Sequence, residues 1–191
     1  MTERPLRADA RRNRDKVLAA AREAFAESGF GVPLDDIAAR AGVGPGTVYR
    51  HFPTKEALFE AVSLVRVQDL AADARARAAS DDPGAAFDGF LERLAGEATA
   101  KRDIPDALDG VGAATVAART DMQDALDVLL RRAQEAGAVR PDVRVTDLFA
   151  LMKGLIHAIR GSDDPGLAGR MLAVVRDGLR GPNDPGDPPF D

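Results

Sequence analysis

Cysteine is absent from this chain of 191 residues, so it can form neither a disulfide framework nor a thiolate metal site. That fits a reducing compartment, and a cytoplasmic location is expected. Histidine occurs twice, at His51 and His157, which leaves zinc few ligands. No Glu-x-x-His repeat offers a di-metal site, and no glycine-rich loop follows a strand to cradle phosphate. No apolar run reaches membrane-spanning length. The opening MTERPLRADARRNRDK has a basic run without an apolar core, so it does not read as a secretory signal. No segment alternates with period two, so no sheet is expected. Together these absences argue against a catalytic or metal-binding role, and no cofactor and no metal are expected.

What is present is a helical chain with uneven charge. Hydrophobic residues make up 45% of it, enough for a packed core in one or two small domains. Net charge is −5, which taken alone argues against nucleic acid. Residues 1–56, however, hold 10 Lys and Arg against 8 Asp and Glu, a net of +2. Residues 57–191 hold 16 against 23, a net of −7. Local charge matters more to DNA than the total, although a solvated first helix would look the same.

The stretch Leu34–Phe59, LDDIAARAGVGPGTVYRHFPTKEALF, reads as two short helices joined by a tight turn and followed by the start of a third. That is the layout of a helix-turn-helix. Ala38 is small where two helices touch, and Gly42 falls where the chain must turn, in a left-handed conformation that glycine tolerates. Val48 returns an apolar side chain to the core. A first helix is expected over about 12–28, with Val17, Leu18, Ala21 and Phe25 on one face. The second runs over about 34–41 behind Pro33, with Asp35 and Asp36 favourable to the helix dipole. The third covers about 46–52, and Thr54 caps a long fourth helix. Beyond it, helices are expected at about 84–101, 104–119, 121–136, 146–161 and 165–180, with Gly110 and Gly112 weakening the second of these. Residues 181–191, with four prolines and three aspartates, are expected to be disordered.

These residues carry a family resemblance. Phe25, Gly29, Ile37-Ala38, Ala41-Gly42-Val43, Gly46-Thr47-Val48-Tyr49-Arg50-His51-Phe52 and Lys55-Glu56-Ala57-Leu58 resemble, in order and spacing, the TetR family of bacterial transcriptional regulators. The helical remainder and the link Gly137-Ala138-Val139-Arg140-Pro141-Asp142 are similar to its branch with SbtR-like C-terminal domains. The resemblance implies an all-α homodimer: an N-terminal three-helix DNA-binding domain (1–56), joined by a long helix to an effector-binding and dimerisation bundle (57–180). It also implies double-stranded DNA and a small-molecule effector as partners, with no membrane. One departure stands out. Many relatives open the second helix with Ser or Thr, which touches a phosphate; Pro33-Leu34 stands there in this chain, and that contact is not carried over.

Expected DNA contacts are Gly46, Thr47, Tyr49, Arg50, His51 and Lys55. Tyr49, the single tyrosine, can donate to a phosphate and pack on a sugar; otherwise it is a core ring beside Phe52. His51 matches a position that meets the DNA backbone in the family, or is an ordinary exposed histidine. Lys55 opposes the helix dipole in the first turn of the fourth helix, a cost that a nearby phosphate would offset. Arg50 can read a guanine edge or pair with an acid on the first or fourth helix. Thr47 reaches a phosphate or a thymine methyl. Arg4, Arg7, Arg11 and Arg12 could form an arm along the backbone or in the minor groove, or a solvated terminus.

In the bundle, apolar stripes at helical spacing serve the core and an effector cavity at once. Effector contacts are expected from Phe87, Phe90, Leu94, Met122, Leu126, Met152 and Ile156. Lys101, Arg102, Lys153 and His157 could orient an anionic or polar ligand, with His157 read first as an ordinary satisfied or exposed histidine. The dimer interface is expected on the last two helices, at Leu148, Leu151, Leu155, Ile159, Leu167, Met171, Val174, Val175 and Leu179. The function expected is a ligand-responsive repressor, released from a palindromic operator by a small molecule. A helical-bundle enzyme or metal-binding protein, or a helical adaptor that does not bind DNA, are the alternatives.

Overall fold

A computed structural model describes residues 3–98 and 113–181. It is all-α, as expected: α1 (Glu3–Ser28), a 3₁₀ turn (Gly29–Gly31), α2 (Leu34–Ala41), α3 (Pro45–His51), α4 (Lys55–Ala78), α5 (Pro83–Ala98), α6 (Ala113–Glu135), α7 (Val145–Arg160) and α8 (Leu167–Leu179). Among the described residues there is no strand, and one isolated antiparallel bridge joins Val139 to Arg180. No helix among them is long and apolar enough to cross a membrane.

The chain divides into two compact units. The first comprises Met1–Val67 with Ala100–Ala117, the second Gln68–Thr99 with Ala118–Asp191. The division falls inside α4, farther along than the expected boundary after residue 56. The reason is packing: Leu58 and Phe59 are buried in the first unit's core, and Val62 and Val65 lie against it. That core is built on Val17, Ala21, Ala24 and Phe25 of α1, which repeat on one helical face and meet Ile37 and Ala38 of α2, Val48 of α3 and Phe52.

In the second unit α5, α7 and α8 pack on one another. Phe87, Phe90 and Leu91, Leu126, Leu129 and Leu130, and Leu148 and Leu155 are buried there. Arg176 of α8 donates to Asp88 at 2.6 Å and to Glu92 at 2.7 Å on α5. Asp73 accepts ion pairs from Arg77 of its own helix at 2.8 Å and from Arg93 of α5 at 3.1 Å. α6 ends on Gly137, left-handed at φ 73°, where the N–H groups of Gly137 and Ala138 return to Gln134 and Ala133.

Helix boundaries differ from expectation at several points. α1 starts at Glu3 rather than near Arg12, because alanine and arginine are strong helix formers and Asp9 pairs with Arg12 one turn on. No break occurs at Thr120-Asp121, since α6 runs through both. Neither residue is a strong breaker, and the buried stripe Ala118, Met122, Ala125, Leu129 and Ala133 continues across them. Gly181, expected in an unpacked tail, is buried and donates its N–H to Ala138 at 3.3 Å. The expected break at Asp103 and Pro105, the start of the 104–119 segment, and the tail from residue 182 lie outside the described residues.

Candidate nucleic-acid interface

The helix-turn-helix is built by short-range rules. Pro33, extended at φ −65° and ψ 147°, precedes α2, and Asp35 and Asp36 occupy its first turn. Gly42 is left-handed at φ 64°. Its N–H donates to Ala39 and that of Val43 to Ala38, both at 3.1 Å, which closes the helix as a Schellman motif. Gly44 is extended, Pro45 takes the first position of α3, and the Thr47 N–H donates to Gly44 at 2.9 Å. α3 therefore begins one residue earlier than expected. Proline stops α2-like geometry before it and suits the start of the next helix.

α3 has two faces. Val48 and Phe52, one turn apart, are buried. Gly46, Tyr49 and Arg50 are exposed, Tyr49 by 48%. Thr47 and His51 flank them and are half-buried. Tyr49 is thus not a core ring, and Arg50 makes no ion pair with any described residue, so both remain free for an outside partner. The His51 ring lies 6.3 Å from that of Phe52.

Thr54 caps α4 as expected: its hydroxyl accepts from the Ala57 N–H at 3.1 Å. Lys55 already has a partner. Its ammonium donates to the Phe30 carbonyl at 2.8 Å and lies 5.0 Å from the centroid of the Phe30 ring. Those two contacts offset the helix-dipole cost that a phosphate was expected to offset. Arg40 holds α2 to α1 through Glu27 at 2.6 Å.

The arginines near the N-terminus lie on α1, not on an extended arm. Arg4 and Arg7 fall in its first turns, Arg11 is exposed, and Arg12 pairs with Asp9. A helix about 10–12 Å across does not enter a minor groove about 6 Å wide, so the expected minor-groove arm does not fit this conformation. Two residues not singled out from the sequence join the site. Arg14 is exposed, lies 5.5 Å over the Phe52 ring at the end of α3 and has no acidic partner among the described residues. Phe30 holds Lys55. Neither has a local signal, because each partner lies far along the chain.

The residues expected at an effector site are not gathered around a described cavity. Phe87, Phe90, Met122, Leu126 and Met152 are buried in packed core, while Leu94 and Ile156 are half-exposed. Lys153 and His157 are exposed on α7. Lys101 and Arg102 lie outside the described residues. A cleft of about 230 Å³ is lined by Gly84, Phe87, Asp88, Gly137–Val139, Arg176 and Leu179–Gly181. Another of about 410 Å³ lies along Arg75, Ala78, Ala79, Asp124, Ala125 and Val128. Phe87 alone among the expected effector residues lines either one.

The expected dimer set also divides. Leu148, Leu155 and Leu179 are buried in the bundle's own core and cannot face a partner, because each helix turns part of its apolar stripe inward on α5 and its neighbour. Val174 is 72% exposed and Leu151 44%. Ile159, Leu167, Met171 and Val175 are half-exposed.

Residues 17–62 match the family model of bacterial regulatory proteins of the tetR family. Residues 82–181 match that of the transcriptional regulator SbtR-like C-terminal domain. A TetR transcription regulatory protein from Mycobacterium vanbaalenii is 39% identical, over 92% of this chain and 99% of that one, with a TM-score of 0.68. A TetR transcriptional regulator from Streptomyces coelicolor is 38% identical, over 88% and 99%, with a TM-score of 0.71. The HTH-type transcriptional regulator UidR of Escherichia coli is 40% identical over 60 residues. That match spans 31% of this chain and 31% of UidR.

Proposed function

The chain belongs to the TetR family of bacterial transcriptional regulators, and from that membership we propose that it is a cytoplasmic repressor released from a palindromic operator by a small molecule. It is a DNA-binding regulator and not an enzyme. Members of the family bind DNA and typically act as dimers with small-molecule effectors. The observation that carries the reading is the outward face of α3. Gly46, Tyr49 and Arg50 are exposed there, and Arg50 has no ion pair among the described residues, while Val48 and Phe52 anchor the helix from behind.

In this reading Tyr49, Thr47, His51 and Lys55 position the protein on phosphates, and Arg50 reads a base edge. Arg11 and Arg14 add positive charge from α1, with Arg4 and Arg7 on the same helix. Leu151 of α7 and Leu167, Met171, Val174 and Val175 of α8 supply the dimer face, with Ile159 beside them. Twofold symmetry then calls for a palindromic operator with half-sites about 34–36 Å apart. α4 is one continuous helix from Lys55 to Ala78, which makes it the natural carrier of an effector's influence. An effector acts by binding one state of the bundle better than the other, and lowers DNA affinity by that difference alone.

Selection of bound duplexes from a random pool tests this reading. The expected product is a palindrome whose binding weakens steeply with salt. Recovery of no preferred sequence, or binding indifferent to salt, would refute it.

A further inference from the structure

We propose that Phe30 is a positioning residue for DNA binding, whose ring and carbonyl hold the Lys55 ammonium ready for a phosphate. The inference rests on the reading of Lys55 as a phosphate contact. A lysine is a point charge on a flexible four-carbon stem, and ordering it on binding costs affinity. In this chain much of that ordering is already present. The ammonium donates to the Phe30 carbonyl at 2.8 Å, and the same residue's ring lies 5.0 Å away.

The ring is itself held. Phe25 of α1 stacks on it at 6.1 Å with planes 17° apart. Phe59, one turn beyond Lys55 on α4, meets it edge-on at 5.7 Å and 87°. Phe25 and Phe59 touch each other at 5.4 Å. The cation therefore rests on an aromatic cluster that joins α1, the 3₁₀ turn and the first turns of α4. An ammonium has three N–H donors and Phe30 takes one. Lys55 is only half-buried, so the others remain available to a phosphate oxygen. Phe30 thus fixes the place of a charge without making contact with DNA.

A double-mutant cycle tests this, with Phe30→Leu, Lys55→Met and the pair measured on the duplex that wild-type protein selects from a random pool. Phe30→Leu loses the ring but keeps the carbonyl, so it should weaken binding by about 2-fold or more per half-site and by less than the roughly 12-fold that full loss of one long side chain's ordering would cost, with the salt slope unchanged because the charge remains. Lys55→Met should reduce the slope by about 0.9 per half-site. The double variant should bind no worse than Lys55→Met alone. Equal weakening by Phe30→Leu in both backgrounds would mean that the ring acts through packing only, and would overturn the inference while leaving Lys55 a phosphate contact. An unchanged slope for Lys55→Met would remove Lys55 from the phosphate set, and the inference with it. A second readout does not depend on any variant folding. In free wild-type protein the Lys55 ε-methylene protons should be shifted upfield by the Phe30 ring current; ordinary shifts would also overturn the inference.

Discussion

Val174→Asp should convert the protein to a folded monomer, whereas Leu155→Asp should unfold it. Val174 is 72% exposed in the isolated chain. Fully burying a valine is worth about 1.5–3 kcal/mol, so a partner that covered Val174 would gain about 1–2 kcal/mol from it. Twofold symmetry presents the residue twice, for about 2–4 kcal/mol per dimer. At about 1.4 kcal/mol per decade, losing the lower figure alone weakens association roughly thirtyfold. Two unpaired carboxylates in an apolar interface weaken it further. Leu155 is 2% exposed in the same isolated chain, so its carboxylate would be buried within the subunit and the penalty would fall on folding. Sedimentation equilibrium and thermal melting by circular dichroism separate the two. Val174→Asp should sediment as a monomer, keep its helical spectrum and melt independently of concentration. Leu155→Asp should lose helicity at ordinary temperature. A Val174→Asp protein with an unaltered dimer dissociation constant would refute the α8 interface.

Arg50→Ala should relax discrimination at one half-site position and cost about 1–3 kcal/mol on the selected site; uniform weakening across variant sites would demote Arg50 to a backbone role. Tyr49→Phe and Arg14→Ala should each weaken binding alike across sequences, and only Arg14→Ala should flatten the salt slope, by about 0.9 per half-site; an unchanged slope would leave Arg14 as a packing partner of Phe52. Gly42→Ala should destabilise the DNA-binding unit by about 1–2 kcal/mol through its left-handed backbone alone, since nothing lies near an added Cβ; a neutral result in denaturant unfolding would contradict the turn. The Asp147 carboxyl at the start of α7 sits below its ordinary range, chiefly because the Arg144 backbone N–H donates to it. A depressed carboxylate contributes stability above its unfolded pKa of about 3.9 and loses it as pH falls through the lower folded value. Asp147→Ala should therefore lower the melting temperature at neutral pH and shrink its fall below about pH 4; an unchanged acid limb would contradict that role.

Much of the first unit was legible because its signals are local. Proline before a helix, glycine at a left-handed cap, threonine at an N-cap and apolar residues one turn apart act over a few residues. Pro33, Gly42, Thr54, Val48 and Phe52 behave accordingly. The all-helical class followed from the same periodicity. Helix ends were less legible, because α1 extends to Glu3 and α6 crosses Thr120-Asp121 on propensity and packing that no single residue announces.

Sequence alone determined the helical class, the helix-turn-helix and its family, since each rests on the order of neighbouring residues. Only the tertiary structure decided which face of each helix meets which neighbour. It turned Leu148, Leu155 and Leu179 inward and left Val174 outside, although all four share one apolar pattern. It also brought Lys55 to Phe30 and Arg14 to Phe52 across long stretches of chain. Hydrophobic periodicity says that a stripe will be buried, but burial by the chain's own core or by a second copy changes the same free energy. Only the placement of the neighbouring helices separates the two.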